Sequence, residues 1–138
     1  LSAKIVKIEV QTMTQEPLDL EFTCQLFKAL GDEARLRILN LIVQNGEMCI
    51  SDLELVLDFT QTKTSRHLIY LKHSGILNVR KKGQWTFYYP KPKIKELISN
   101  YLHNITSDTV IKKDLETYNI LYTNRELAAY KMTQRRYY

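Results

Sequence analysis

The sequence predicts a mainly α chain with one β-hairpin wing, an α+β class, on three observations. Apolar residues recur at helical spacing from residue 18 to residue 74. After Gly75 the period changes to strand alternation on either side of a basic turn. Between Phe59 and Lys95 the chain carries nine basic residues and no acid.

Taken in order, Val6, Ile8 and Val10 alternate with Lys7, Glu9 and Gln11, so residues 1–17 read as an extra strand or a loosely held arm. The first helix runs from Leu18 to Leu30, with Phe22, Leu26, Phe27 and Leu30 on one side and Gly31 as its stop. Asp32 caps a second helix carrying Ala34, Leu36, Ile38, Leu39 and Ile42, which ends near Asn45-Gly46. Ser51-Asp52-Leu53-Glu54 has the pattern of a capping box and opens a short helix through Asp58. Thr60 caps a fourth helix whose inward positions are Thr64, Leu68 and Leu71, and Gly75 terminates it. Leu77 and Val79, then Trp85, Phe87 and Tyr89, alternate around Lys81-Lys82-Gly83-Gln84, with the three aromatics as the packing face of the hairpin. Pro90 and Pro92 close the second strand, and Ile94, Leu97, Ile98, Tyr101, Leu102 and Ile105 form a full apolar stripe on the next helix. From a Ser107 cap, residues 107–130 continue helically through Ile111, Leu115, Tyr118 and Tyr122.

A chain of 138 residues is one domain's worth of sequence, and 44% hydrophobic with 25% charged residues matches a globular protein. Residues 18–105 are expected to form the domain, with 106–138 as a helical extension and tail. No apolar run approaches 18 residues, so no membrane span is expected. Two cysteines cannot staple a secreted fold, and with no recognisable signal segment a reducing cytoplasm is the expected setting, although Leu1 in place of Met leaves the native start open. The net charge of +5 is polarised: outside the basic block, eleven basic residues face all fifteen acids. Thirty-seven residues without a carboxylate suit a polyanion, chiefly nucleic acid.

The order of three helices, a tight turn, a further helix, a basic hairpin and a last helix is that of a winged helix-turn-helix. Two short helices joined by a tight turn let the second present its N-terminal half to a DNA major groove. Thr60, Gln61 and Thr62 lie at its start, where Gln suits adenine and Thr a base or a thymine methyl. Lys63 is better suited to phosphate. Ser65, Arg66 and His67 follow one turn on, with Arg66 fit either for guanine or for backbone charge. Arg80, Lys81 and Lys82 converge on the hairpin tip, a source of affinity rather than sequence preference. The stripe Ile94, Leu97, Ile98, Tyr101, Leu102 and Ile105 is apolar enough to serve both the domain and a symmetry mate. Such a dimer would place two recognition helices roughly 34 Å apart on a palindromic double-stranded operator.

Three ordered segments resemble the ArsR/SmtB class of bacterial transcriptional repressors. Phe27-Lys28-Ala29-Leu30-Gly31-Asp32-Glu33-Ala34-Arg35-Leu36-Arg37-Ile38-Leu39 is similar to that family's ALADPTRLRIL junction. Thr60-Gln61-Thr62-Lys63-Thr64-Ser65-Arg66-His67-Leu68 is similar to its recognition pattern SQPTVSHHL, matching at Gln61, Ser65, His67 and Leu68. Arg80-Lys81-Lys82-Gly83-Gln84-Trp85-Thr86-Phe87-Tyr88-Tyr89 resembles its RREGRWVYY wing. The resemblance covers about residues 18–105. It implies a homodimeric repressor that binds an operator as two half-sites, with Gln61, Ser65 and His67 facing bases and release by an effector that the sequence does not identify.

Family members with a thiolate metal site carry ELCVCDL, where this chain has Glu47-Met48-Cys49-Ile50-Ser51-Asp52-Leu53. Cys49 aligns with the first ligand, Ser51 replaces the second, and Cys24 is the only other thiol. Soft-metal sites use two or three thiolates, so no metal and no cofactor is expected, with Cys24 and Cys49 the sole candidates for metal or redox chemistry. The family's Asp/His site on the dimer helix has only His103 here. The four isolated glycines cradle no phosphate, and GxSxG, HExxH and CxxC are absent, so no enzymatic activity is expected. The alternative function is a winged-helix module that docks an acidic protein partner. Tyr118, Tyr122, Tyr130, Tyr137 and Tyr138 in the extension fit a dimer pad, a ligand cavity or a frayed tail equally.

Overall fold

Short polar side chains set most of the helix starts in the computed structural model, which describes residues 18–123. Asp19 accepts the backbone N–H of Phe22 at 2.6 Å and opens α1 (Leu20–Leu30). Asp32 does the same for Arg35 at 3.0 Å and opens α2 (Glu33–Asn45), which stops at Gly46, where φ is +87°. A two-residue strand, β1 (Met48–Cys49), precedes α3 (Ile50–Leu57). The expected capping box is not formed. The N-cap is Cys49, without a side-chain cap bond, and Ser51 lies inside the helix with its hydroxyl 3.2 Å from Cys49 Sγ. Helix start and strand β1 compete for the same residues here, and the strand takes Cys49 one position earlier than the box requires.

Asp58 adopts the left-handed conformation, φ +54°, in the turn that separates α3 from α4 (Gln61–His73). Thr60 caps α4 through Lys63 N–H at 3.2 Å, as expected, and Thr64, Leu68 and Leu71 are fully buried. Gly75, φ +79°, turns the chain into β2 (Leu77–Lys82), which pairs antiparallel with β3 (Trp85–Pro90). Their loop is the pair Gly83-Gln84, with positive φ on the first residue as a type II′ turn requires. The sheet order is β1-β3-β2, and Met48 sits opposite Tyr88. On β3 the side chain that packs on the core is Tyr88, while Trp85 is exposed and Phe87 and Tyr89 are half-buried. The wing's inner face is therefore one residue out of step with the expected Trp85, Phe87 and Tyr89, because β1 fixes the register of β3 from its far side.

Pro92 stands in the first turn of α5 (Pro92–Asn104), where its missing N–H leaves nothing unpaired. Asp108, rather than Ser107, starts α6 (Thr109–Thr123) by accepting from Val110 and Ile111. The core is centred on α2, in which Ile38, Leu39, Leu41 and Ile42 are all fully buried, so this helix is enclosed rather than amphipathic. Around it lie Leu53, Leu68, Leu71, Ile76, Leu77, Ile98 and Leu102, each worth about 1.5–3 kcal/mol of apolar transfer. Leu121 of α6 joins the same core. The expected strand at Val6, Ile8 and Val10 and the residues Tyr130, Tyr137 and Tyr138 lie outside the described residues.

Candidate nucleic-acid interface

The candidate recognition surface is the N-terminal half of α4. Its first turn holds no acid, and Gln61, Thr62 and Arg66 stand in solvent with Ser65 half-buried beside them. The unpaired N–H groups and positive dipole end of this helix favour an anion at the same place. Buried Phe59 fixes the approach to the helix from below. Lys63 Nζ sits 4.0 Å over its ring and the Arg37 guanidinium 5.2 Å from it. Lys63 is thus held against the turn rather than extended toward a phosphate.

His67 departs from the expected outward position. It is 7% exposed, on the side of α4 that faces the protein, and burial pushes its pKa below the ordinary value against the opposing pull of Asp32. Positions 64, 67, 68 and 71 form one stripe at three-and-four spacing, which makes His67 a packing residue. The exposed stripe instead continues through Ile69 and Tyr70, 50% and 40% exposed.

In the wing, Lys81 and Lys82 are exposed at the tip. Arg80 is not free: its Nε donates to Glu47 Oε2 at 2.7 Å and its Nη2 to Glu47 Oε1, while the guanidinium lies 5.2 Å from the Phe87 ring. Each partner holds the other in its charged form, lowering the Glu47 pKa and raising that of Arg80. The contact crosses β3 from the end of β1, and a two-residue strand leaves no periodicity from which a reader could have foreseen it.

The apolar stripe of α5 divides between two faces. Ile94, Ile98 and Leu102 are within the protomer's own core, Ile105 is half-buried against it, and Leu97 and Tyr101 are 37% and 53% exposed. Leu20 and Phe27 of α1 are likewise exposed, at 81% and 56%. Of the two thiols, Cys24 is exposed on α1. Cys49 is buried, donates to Asp52 Oδ2 at 3.0 Å, and has its pKa raised chiefly by burial. Among the described residues no three His, Cys, Asp or Glu side chains are grouped to hold a metal ion, and no helix is long and apolar enough to cross a membrane.

Residues 32–79 match the family model described as bacterial regulatory protein, arsR family. The chain is 50% identical over 70 residues to the arsenical resistance operon repressor of Escherichia coli K12, covering 51% of this chain and 60% of that one. It is 39% identical over 80 residues to the arsenic resistance regulator ArsR1 of Pseudomonas putida, so the chain spans about three-fifths of the length of these two relatives (58% of this chain, 62% of ArsR1). An uncharacterized HTH-type transcriptional regulator of Methanocaldococcus jannaschii is 43% identical over 79 residues, covering 56% of this chain and 89% of that one. Among solved structures, HlyU from Vibrio cholerae superposes with TM-score 0.55 at 31% identity, over 62% of this chain and 91% of that one. The homodimeric winged helix-turn-helix DNA-binding domain of Mb0332 from Mycobacterium bovis superposes with TM-score 0.56 at 26% identity, over 67% and 84%.

Proposed function

The chain belongs to the arsR family of bacterial regulatory proteins, and from that premise we propose that it is a dimeric repressor that binds double-stranded operator DNA and is released by an effector. The observation that carries the proposal is the exposed, acid-free start of α4, where Gln61, Thr62 and Arg66 project from a positive helix end. Gln61 and Thr62 are the base readers, Ser65 and Arg66 follow one turn behind, and Lys81 and Lys82 supply sequence-independent phosphate contacts from the wing. Self-association follows from Leu20, Phe27, Leu97 and Tyr101, four large apolar side chains that α1 and α5 leave in solvent. The homodimeric neighbour from Mycobacterium bovis supports self-association.

The donors around Cys49 do not fit the soft-metal site suggested by the resistance regulators. One thiol, held protonated by burial, stands beside a Ser hydroxyl and a carboxylate, where two or three thiolates are needed.

A titration against duplex from upstream of its own gene, with random duplex as competitor, tests the reading. The wild type is expected to prefer the specific duplex. Gln61→Ala should cost about 1–3 kcal/mol there and leave random-duplex affinity nearly unchanged. Lys82→Ala should weaken both and lower the salt slope by about one. Binding without sequence preference would replace the repressor with a protein-interaction module.

A further inference from the structure

We infer that the DNA-binding surface continues from α4 onto α1, where Lys28, Arg66 and His73 form a seat for a backbone phosphate. The inference rests on the reading of the chain as a duplex-DNA binder and adds a contact supplied by neither the wing nor the start of α4. A cleft of about 490 Å³ lies between the two helices, walled by Gln25 and Lys28 from α1 and by Arg66, Ile69, Tyr70 and His73 from α4, with no carboxylate in its lining. Arg66, Ile69, Tyr70 and His73 recur at three- and four-residue spacing, so they share one face of α4.

The cleft is continuous with the base-reading surface. A second cleft of about 480 Å³ runs beside Gln61, Thr62 and Ser65 and shares Arg66 and Ile69 with the first. A strand of DNA whose base edges meet Gln61 has its phosphates carried along the same face of the helix, past Arg66.

The C-terminal end of a helix ordinarily repels an anion, because its last carbonyl oxygens point outward unpaired. Here Arg35 covers that end of α1. Its Nε donates to the Ala29 carbonyl at 2.8 Å and its Nη2 to the Lys28 carbonyl at 3.1 Å. The same guanidinium lies 4.2 Å over the Tyr70 ring and holds it as a wall. With the carbonyls masked, the exposed ammonium of Lys28 and the guanidinium of Arg66 set the sign of the cleft. An open cleft whose lining carries Lys28, Arg66, the Gln25 amide and the Ser74 hydroxyl beside Ile69, Tyr70 and His73, with no carboxylate, and which is contiguous with a groove-reading helix, fits a phosphodiester backbone better than an enclosed ligand.

Fluorescence anisotropy with the intact chain, a 30-base-pair operator duplex and a random duplex at 50–200 mM salt tests the seat. Lys28→Ala should weaken both duplexes alike and reduce the salt slope by about 0.9, so that raising salt from 50 to 200 mM costs it about 3.5-fold less affinity than the wild type. Lys28→Arg should restore the slope. Lys112→Ala, which removes an exposed lysine of α6, should leave it unchanged. A wild-type slope in Lys28→Ala, with Gln61→Ala still losing specific affinity, overturns the seat and leaves the DNA reading standing. A wild type that binds neither duplex overturns both. If Lys28→Ala alters only the displacement of DNA by inorganic phosphate, with its slope unchanged, the cleft takes a small free anion and the backbone contact is overturned.

Discussion

His67 shows how one buried ring ties the recognition helix to pH. Burial lowers its pKa, so at mild acidity the unfolded chain binds a proton that the folded chain resists. Stability from this residue is full above the unfolded value of about 6.5 and is lost as pH falls through the lower folded value. Denaturant unfolding at pH 7.5 and 5.5 should therefore show a loss on acidification that is smaller in His67→Gln; equal losses would place the sensitivity elsewhere. The thiols differ for the same reason. Cys24, exposed on α1, is expected to react with an alkylating reagent in the native protein, and buried Cys49 only after unfolding. Both cysteines are plain in the sequence, but their difference in access is not, because it depends on β1 and α3 closing over one of them.

At the scale of elements, α6 is bound to the domain by polar as well as apolar contacts. Asp114, 4% exposed, accepts both Arg37 Nε and Nη2 at 2.9 Å, and Leu121 and Tyr122 pack on the core. Arg37 in turn stacks on Phe59, the residue beneath Lys63, so a chain of contacts links the C-terminal helix to the start of α4. Asp114→Ala strands a half-buried guanidinium. It should cost about 2–3 kcal/mol, less than a fully enclosed pair because Arg37 keeps 22% of its side chain in water, and Arg37→Ala/Asp114→Ala should recover part of that in denaturant titrations. The six helices among the described residues were legible from apolar spacing, within a residue or two at most of their described ends, but of the expected caps Asp32 and Thr60 hold while Ser51 and Ser107 do not, and the expected end at residue 130 lies outside the described residues. Missed features were nonlocal: β1 is too short to have a period, Ser51 lost its capping role to that strand, and the register of β3 follows from its far neighbour. The same holds at the candidate site, where Gln61, Thr62 and Arg66 follow from position on a helix. The inward turn of His67 and the pairing of Arg80 require the assembled sheet and core.

For the whole molecule, the apolar surface that remains on α1 and α5 is the proposed seat of self-association. Leu97→Glu/Tyr101→Glu alters side chains that are 37% and 53% exposed in the protomer, so the fold should survive while sedimentation shifts from dimer to monomer. Loss of the second half-site should then lower operator affinity far more than random-duplex affinity. An unchanged sedimentation coefficient would move the two-fold interface away from this face. The polarised charge works at the same scale: on the proposed function the basic block is expected to steer duplex DNA toward one side of the molecule and to lose its reach as salt rises.

On the proposed function, the Glu47–Arg80 pair is a brake on residence time. A carboxylate just before β1 neutralises a cation at the base of the wing, beside the exposed Lys81 and Lys82. Glu47→Gln releases Arg80 to the duplex, and the expected result is slower dissociation with a salt slope steeper by about one. An operator occupied too long cannot answer a passing signal, and on the proposed function this one acid, outside the basic block, is what holds the wing below its full grip.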